Sequence, residues 1–374
     1  MKKMTKSILK NSCLAGAALG AMVGAAQAEE FNLDALIEAA KAEPGITIYA
    51  STGKIKKAAA AFTELYGIEA TGTKVKGAAQ IELVVREAQA RNIVGDVVIS
   101  SDAGAALAQL LPSGIVASWT PPDMAGDIRD DSKDPLVVWR DPSMWTYNNE
   151  DGGACPVSNI WELTGEEWAR RVTMEDPLNK PSFIDWFNQM EMHGDDKMAA
   201  AYEAYFGKAL VTSGQSATKT WVQMIAANAP LLTDSSSGAA EAIGTRGQDK
   251  PFFGLVASAK YRDVSPEGLA MAPCEGIQPS MGFAKPGYGL ISDGTDSPNA
   301  AKLFLHYMMT AEGVMPMTSD GKLSGNGAVP ANPKDISNAA AHVDNLTPHI
   351  AATGMDDFDL RQDWQDFWRI HYKR

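Results

Sequence analysis

Four short clusters of hydroxyl-bearing and small residues recur along the chain, each just before a stretch with helical spacing. They are Ser51-Thr52-Gly53, Ser100-Ser101-Asp102, Lys180-Pro181-Ser182 and Ser235-Ser236-Ser237. The first-turn N–H groups of an α-helix have no intrahelical partners, and the helix dipole favours negative charge at that end. Hydroxyls beside such N–H groups suit an anionic or hydroxyl-bearing ligand. Each cluster taken singly is better explained as an ordinary N-cap, whereas four in one chain favour a converging binding site.

Residues that could carry catalysis or hold a metal show no comparable pattern. The five histidines are scattered without an H-x-x-x-H or H-x-H pair, which argues against a zinc site. The sequence contains no G-x-S-x-G motif. Two S-x-x-K matches, at 51–54 and 216–219, lack the companion motifs of acylating serine enzymes. We therefore predict no catalytic residue, no metal and no cofactor, with an exported hydrolase as the alternative from a different functional class.

The elements that position the four clusters alternate between strand and helix. Short apolar runs predict strands, and apolar residues at intervals of three and four predict the helices between them. In chain order these are a strand at 46–49, a helix from 54 to Gly67, a strand at 69–74, a helix at 78–91, a strand at 96–99, a helix at 103–111, an extended stretch at 136–147, a strand at 171–174, a helix from 182, a strand at 230–233, a short helix, a strand at 252–258 and a helix at 299–309. This order predicts an α/β fold with mainly parallel sheets. Since ligands bind outside the carboxyl ends of strands in such sheets, the clusters are expected to meet there.

The C-terminal region carries a row of large apolar side chains at helical spacing. They are Leu360, Trp364, Phe367 and Trp368. Such a row covers one face of a helix. We expect it to pack on the body of the protein and not to contact a ligand.

The first 28 residues have the layout of a secretory signal peptide. Four lysines precede an apolar run from Cys13 to Ala26, and Ala26-Gln27-Ala28 supplies an A-x-A cleavage site. The apolar run is too short for a membrane span. We therefore predict export to the periplasm with cleavage after Ala28. Two cysteines then remain, Cys155 and Cys274, for which one disulfide and two buried free thiols are both open.

The charge of the processed chain excludes two classes of partner. Removal of residues 1–28 leaves 29 Lys and Arg against 46 Asp and Glu, a net charge of −17. Nucleic acids and anionic membranes bind basic surfaces, so neither is an expected partner. The remaining chain is long enough for two domains of ordinary size.

Several stretches between residues 46 and 313 carry a family resemblance. They are Ile46-Thr47-Ile48-Tyr49-Ala50-Ser51-Thr52-Gly53, Tyr66-Gly67-Ile68, Gly95-Asp96-Val97-Val98-Ile99-Ser100-Ser101-Asp102, Tyr147-Asn148, Trp161-Glu162-Leu163-Thr164, Glu175-Asp176-Pro177, Ala301-Lys302-Leu303-Phe304 and Thr310-Ala311-Glu312-Gly313. In their order and spacing the chain resembles the extracellular solute-binding proteins of bacterial ABC importers, the family that includes ferric-ion binding proteins and relatives that bind organic ligands. The resemblance implies a type II periplasmic-binding-protein fold, an α/β fold of two lobes joined by two extended crossover segments. It assigns residues 29–140 and 282–374 to lobe 1 and residues 141–281 to lobe 2.

The ferric-iron ligands of that family are only partly present in this chain. The family's His position falls on Gly53, its Glu position on Ser101, and its Tyr-Tyr pair on Lys260-Tyr261. An ammonium in place of a phenolate disfavours a hard trivalent cation. The resemblance therefore implies a member that binds something other than iron. A ferric-ion binding protein that uses exogenous anions remains an alternative.

The residues at the matched positions suit a small organic anion bearing a carboxylate, phosphate or phosphonate. Lysines at 180 and 260 and the hydroxyls of two helix starts are the expected donors to its anionic group, while Asp102 and Tyr147 are expected to bond a hydroxyl or amine. The predicted ligand-binding residues are Ser51, Thr52, Gly53, Ser101, Asp102, Tyr147, Lys180, Ser182, Ser235, Ser236, Ser237, Lys260 and Tyr261. A solvent-facing Lys260 and an Asp102 that only caps the following helix remain the simpler alternatives.

The resemblance also implies a mechanism and a partner. A monomer would bind a small molecule by hinge closure of its lobes and dock on an ABC permease in the inner membrane. A ligand-sensing co-receptor uses the same fold, and one sequence does not separate it from an importer subunit.

Overall fold

The computed structural model describes residues 31–75, 77–212 and 214–373. The predicted signal peptide, residues 1–28, lies outside these ranges. From Leu33 onward the protein forms one compact unit. The strands are β1 (Ile46–Ala50), β2 (Ala70–Lys74), β3 (Val97–Ser100), β4 (Val116–Ser118), β5 (Val137–Asn148), β6 (Val172–Glu175), β7 (Leu231–Thr233), β8 (Phe253–Ala257), β9 (Met271–Pro273), β10 (Gly282–Ser292) and β11 (Leu323–Ser324). The helices are α1 (Leu33–Lys41), α2 (Ile55–Tyr66), α3 (Ala78–Ala90), α4 (Ala103–Ala105), α5 (Pro181–Phe206), α6 (Ala217–Ala227), α7 (Ser236–Gly244), α8 (Pro298–Met308), α9 (Ala311–Thr318), α10 (Gly354–Asp359) and α11 (Arg361–His371).

Eight of the strands form a continuous sheet in the order β2-β1-β3-β10-β5-β8-β6-β7, with β4, β9 and β11 paired at its sides. Strand β1 lies parallel to β2 and β3, and β6 lies parallel to β7 and β8. We call β1–β3 the first half-sheet and β6–β8 the second half-sheet. The long strands β5 and β10 run antiparallel to each other and join the two half-sheets. The predicted parallel pairing within each half is confirmed.

Apolar runs and terminating residues explain the predicted elements. Strands β3 and β6 are buried at every position, as expected for parallel strands covered on both faces. Helix α2 ends at Gly67, whose φ of 72° is the left-handed conformation that favours glycine. The predicted helix at 103–111 is one α-helical turn, α4, which continues as a π-helix over Ala106–Leu110. No helix within the described ranges is long and apolar enough to cross a membrane.

Strand β10 is absent from the sequence-based prediction. Its eleven residues include three glycines and a proline, which weaken a strand pattern. The glycines serve close packing instead. Gly282 has a φ of 138°, and a Cβ at this position would lie 2.0 Å from the carbonyl oxygen of Ser143 on β5. Only glycine permits this approach of the two long strands.

The C-terminal segment contacts elements of both half-sheets. Trp364 and Trp368 of α11 are buried in the core cluster of the second half-sheet, where Phe187 of α5 stacks on Trp368. Phe358 of α10 packs instead against the core cluster of the first half-sheet. This packing places α11 with the second half-sheet, whereas the sequence-based division assigned residues 282–374 as a whole to lobe 1. The lobe boundaries stay a prediction.

A disulfide joins Cys155, which follows β5, to Cys274, which follows β9, across 119 residues. Such a large loop constrains the unfolded chain strongly, so replacing both cysteines with serine is expected to lower the free energy of unfolding by about 2–4 kcal/mol. Urea denaturation of the oxidised wild type and the double variant measures this difference. Wild type treated with a reductant is the control and should match the variant. Coincident transitions for all three samples would contradict the expectation.

Candidate functional site

One cavity is lined by loops that follow strands of both half-sheets. Ser101 follows β3 in the first half-sheet, and Ser182 lies in the first turn of α5, which follows β6 in the second. The lining residues are Ser101, Ala103, Ser182, Asp185, Trp186, Gln189, Phe283, Ala284, Lys285, Pro286, Thr347, Pro348 and His349. We call this space the central cavity. In this conformation the free space inside it is about 20 Å³, room for about one water molecule.

Serine hydroxyls from three loops lie at or beside the central cavity. The Oγ atoms of Ser51 and Ser101 are 2.8 Å apart, so the loops after β1 and β3 are adjacent as predicted from their position at strand ends. Ser182 follows Pro181, the first residue of α5. Its Oγ is buried and has no hydrogen-bond partner within the described residues. A buried hydroxyl without a partner is unfavourable, which makes Ser182 a donor available to a bound molecule.

An arginine from the C-terminal helix bridges two carboxylates beside these serines. Arg361 donates from Nε and Nη2 to the two oxygens of Asp185 at 2.8 and 2.7 Å, and Nη2 also donates to Asp102 Oδ1 at 2.6 Å. All three side chains are at most 13% exposed. Burial raises the pKa of Asp185 to about 6, although the bonds from Arg361 oppose that shift, so Asp185 is ionised at neutral pH. Asp102 caps α4, as expected if it only caps the following helix, but it also accepts a hydrogen bond from Arg361.

A second buried carboxylate holds the C-terminal segment against α5. Asp357 is fully buried and accepts hydrogen bonds from the amides of Asn188 and Gln189, each at 2.8 Å. His349 Nε2 lies 3.2 Å from the same carboxylate. These contacts fix the wall of the central cavity that Gln189 and His349 line. Sequence reasoning did not identify this wall.

A group of three buried charges, two of them on the long strands, includes Lys285 of the cavity lining. Lys285 of β10 lies 3.4 Å from Asp141 of β5, and Lys322 lies 2.6 Å from the same carboxylate oxygen. The three side chains are 10, 18 and 10% exposed in the order Lys285, Asp141, Lys322. Burial alone would raise the pKa of Asp141, but the two ammonium groups outweigh it and hold that pKa well below its usual range. Two lysine side chains thus share one carboxylate; burial lowers the pKa of Lys322, and Asp141 opposes that shift.

Three predicted residues near these loops lie outside the cavity lining. The Thr52 hydroxyl accepts a hydrogen bond from the N–H of Lys54 at 3.3 Å, and Gly53 is exposed. Lys180 precedes α5, but its ammonium pairs with Glu175 at 2.7 Å and its side chain is 40% exposed. The prediction that Lys180 binds the ligand's anionic group therefore lacks support, because the Lys180 ammonium is already paired with the carboxylate of Glu175 at the end of β6.

Two serines of the cluster at 235–237 accept hydrogen bonds from backbone N–H groups in the second half of the molecule. Ser235 caps α7, accepting a hydrogen bond from the N–H of Gly238 at 3.4 Å. Ser236 accepts from the N–H of Ala257 at 2.8 Å. Ser237 follows inside α7, and none of the three serines lines the central cavity. The helix-cap explanation accounts for Ser235, whereas Ser236 bonds the backbone of β8.

Both predicted tyrosines have their hydroxyl groups bonded elsewhere. Tyr147 donates to the carbonyl of Gly153 at 2.9 Å. Tyr261 is 1% exposed, and its hydroxyl lies 2.7 Å from the Oγ1 of Thr146. Burial raises the pKa of Tyr261 above its usual range, so it remains a neutral phenol. Tyr261 thus occupies a core position in this structure, and its contact with a ligand stays a prediction.

Lys260 lies in a 3₁₀ helix, Ser258–Asp263, that follows β8. Its side chain is partly buried. Among the residues that the structure describes, Lys260 is not one of those that line the central cavity. The structure thus brings together Ser51, Ser101, Asp102 and Ser182 of the predicted set. It adds Asp185, Lys285 and Arg361, which were not predicted.

Comparisons with known proteins agree with this architecture. Residues 27–321 match the family model described as bacterial extracellular solute-binding protein. The chain belongs to this family. No curated protein sequence matches it significantly. The family is that of ABC-importer substrate-binding proteins, whose members act outside the cytoplasmic membrane.

Several solved structures share the fold of this solute-binding protein at low sequence identity. Iron-bound HitA from Pseudomonas aeruginosa matches with a TM-score of 0.63 and 13% identity, covering 86% of this chain and 99% of HitA. FutA from Trichodesmium, in complex with iron and citrate, matches with a TM-score of 0.62 and 17% identity over 88% and 100%. AfuA from Actinobacillus pleuropneumoniae, with exogenous fructose-6-phosphate bound, matches with a TM-score of 0.61 and 16% identity over 87% and 99%. The predicted type II periplasmic-binding-protein fold is confirmed.

Proposed function

We propose that this solute-binding protein captures a small organic anion in the central cavity and delivers it, as a monomer, to an ABC permease in the inner membrane. The observation that carries the proposal is that Ser101 and Ser182 line one cavity although they follow strands of different half-sheets. A ligand that bonds both loops bridges the two halves of the molecule. Such bridging is how a solute stabilises a closed binding protein.

The donor groups at the cavity favour an organic anion. The first turn of α5, a 26-residue helix, opens onto the cavity at Ser182, and Lys285 lines it. Helix N-termini, hydroxyls and ammonium groups together stabilise carboxylate and phosphate groups. AfuA, which shares the fold, is described with fructose-6-phosphate bound. Iron held by the protein's own side chains is disfavoured, because Tyr261 is buried, bonds Thr146 and does not line the cavity.

Closure would bend the two long strands where they pass between the half-sheets. Strand β5 pairs with β10 over residues 137–144 and with β8 from Ser143 onward, and β10 pairs with β3 from Tyr288 onward, so residues 140–142 of β5 pair with β10 but with neither half-sheet. Rotation about this short segment moves one half-sheet relative to the other. The solute's greater affinity for the closed arrangement drives the change.

Identification of the bound solute tests the proposed function. The protein should be purified from a periplasmic extract without unfolding, and its contents analysed by native mass spectrometry. A stoichiometric small anion that raises the melting temperature when added back, without being converted, supports the proposal. Turnover of the solute would support the exported-hydrolase alternative, and tightly bound iron would overturn the proposed solute.

The unpartnered hydroxyl of Ser182 yields a specific prediction. Ser182→Ala is expected to weaken the identified solute by about five- to tenfold, the loss of one hydrogen bond, while the ligand-free melting temperature stays the same or rises. Titration calorimetry and thermal unfolding measure the two effects. Ser237→Ala is the matched control and should change neither. Equal solute affinity in wild type and Ser182→Ala would exclude this hydroxyl from binding.

A further inference from the structure

We infer that Lys285, on the long strand β10, binds the anionic group of the solute at the central cavity. This inference rests on the proposed function and specifies which cation of the protein meets the anion. It replaces Lys180 and Lys260, the lysines that the sequence placed in that role.

The charges around Lys285 are unbalanced in a buried setting. Lys285 and Lys322 share the carboxylate of Asp141, which leaves one excess positive charge among three side chains that are at most 18% exposed. Asp320, a further carboxylate that acts on Lys322, is itself within ion-pair distance of Lys54 and Arg262. A buried charge without a full counterion is unfavourable. A bound anion would supply the missing negative charge.

The position of Lys285 decides which of the two lysines meets the ligand. Lys285 lines the central cavity together with Ser182, whereas Lys322 does not. Lys285 is also the more weakly paired of the two, at 3.4 Å from Asp141 against 2.6 Å for Lys322. Its ammonium therefore has capacity for a second acceptor. An anionic group between Lys285 and Ser182 would also lie at the first turn of α5, where the helix dipole favours negative charge.

A neutral replacement of Lys285 should leave the fold intact. Lys285→Met keeps an unbranched side chain of similar length, and it leaves Asp141 paired one-to-one with Lys322 at 2.6 Å. The buried group then has no net charge. The variant consequently isolates the loss of the cation from any general damage to the long strands. Lys285→Arg retains the charge and serves as the conservative variant.

Inorganic phosphate and acetate are suitable probes, because each presents an anionic group without the rest of a solute. Titration calorimetry should show that Lys285→Met weakens the better-binding probe by at least about tenfold, the effect of one charge-assisted hydrogen bond. Lys285→Arg should retain most of the affinity. Lys180→Met, which removes a lysine paired with Glu175, should bind the probe as wild type does.

Two outcomes would overturn the inference. One is wild-type affinity for the probe in Lys285→Met, and the other is a wild-type protein that binds neither phosphate nor acetate. The proposed capture of a solute is tested separately, by native mass spectrometry of the protein purified from a periplasmic extract. A neutral or cationic solute identified there would refute the role of Lys285 while leaving capture intact, and an extract that yields no solute would refute capture itself.

Discussion

Arg361→Met is expected to lower the free energy of unfolding by about 3–5 kcal/mol, because removal of one partner leaves buried charges without compensation. The guanidinium holds both oxygens of Asp185 and one oxygen of Asp102, and each of these carboxylates is only 6% exposed. Methionine retains the unbranched apolar part of the side chain, so the loss reports on charge and hydrogen bonding. Urea denaturation followed by tryptophan fluorescence measures it.

Two further variants identify the cause of that loss. Adding Asp185→Asn to Arg361→Met removes one of the two unpaired buried charges and should restore part of the stability. Arg369→Met changes the same residue type on the same helix, but Arg369 is 48% exposed and pairs with an exposed Asp366, so it should cost at most about 1 kcal/mol. Similar losses in Arg361→Met and Arg369→Met would show that the buried bridge contributes nothing beyond a surface pair.

The sequence predicts the strands and helices of this fold well where the residues of a short segment reflect the burial or backbone conformation of that same segment. Strand β3 is a run of three apolar residues that ends at Ser100, and β6 places Val172 and Met174 between polar residues; both strands are buried at every position. Gly67 ends α2 because its left-handed backbone is a local requirement. Strand β10 is not predicted by a local pattern, because its glycines are required by close packing against the neighbouring strand β5.

The candidate site is predicted only in part, for a related reason. Ser101 and Ser182 were predicted because a strand end followed by a helix start is visible in a short stretch of sequence. Arg361 has its partners 259 and 176 residues away, a separation at which spacing carries no information. Asp185 had a usable signal, because it lies one helical turn after Ser182 and therefore faces the same side of α5.

Lys260 and Tyr261 lie outside the lining of the central cavity, and their contact with the ligand stays a prediction. Lys260 and Tyr261 were assigned to the ligand because they align with a pair of metal-binding tyrosines. In this chain Tyr261 is a core side chain bonded to Thr146.

Asp102→Asn is expected to shift the ligand-free protein toward an open arrangement, raising the open-to-closed ratio by about ten- to a hundredfold. Arg361 is anchored with the second half-sheet through α11 and Asp185, whereas Asp102 follows β3 of the first half-sheet. Opening of the proposed hinge must therefore break the Arg361–Asp102 bond in wild type. A charge-assisted bond of this kind contributes about 1.5–3 kcal/mol, which corresponds to that ratio.

The substitution leaves the other contacts of these residues in place. Asparagine caps helices as well as aspartate does, so α4 keeps its N-cap, and Arg361 keeps both bonds to Asp185. Small-angle X-ray scattering should show a larger radius of gyration for the ligand-free variant and the same radius for both proteins when saturated with solute. Solute affinity should fall by the factor by which the closed population falls, because the ligand must then supply the free energy of closure.

A matched control separates this effect from the change of net charge. Asp130→Asn removes the same charge from an ion pair whose aspartate is 97% exposed, and it should alter neither the radius of gyration nor the affinity. If Asp102→Asn weakens the solute while the ligand-free radius stays that of wild type, Asp102 acts on the solute directly. If it changes neither quantity, the Arg361 bridge stabilises the fold without influencing closure, and the equilibrium between open and closed forms is set by the long strands alone.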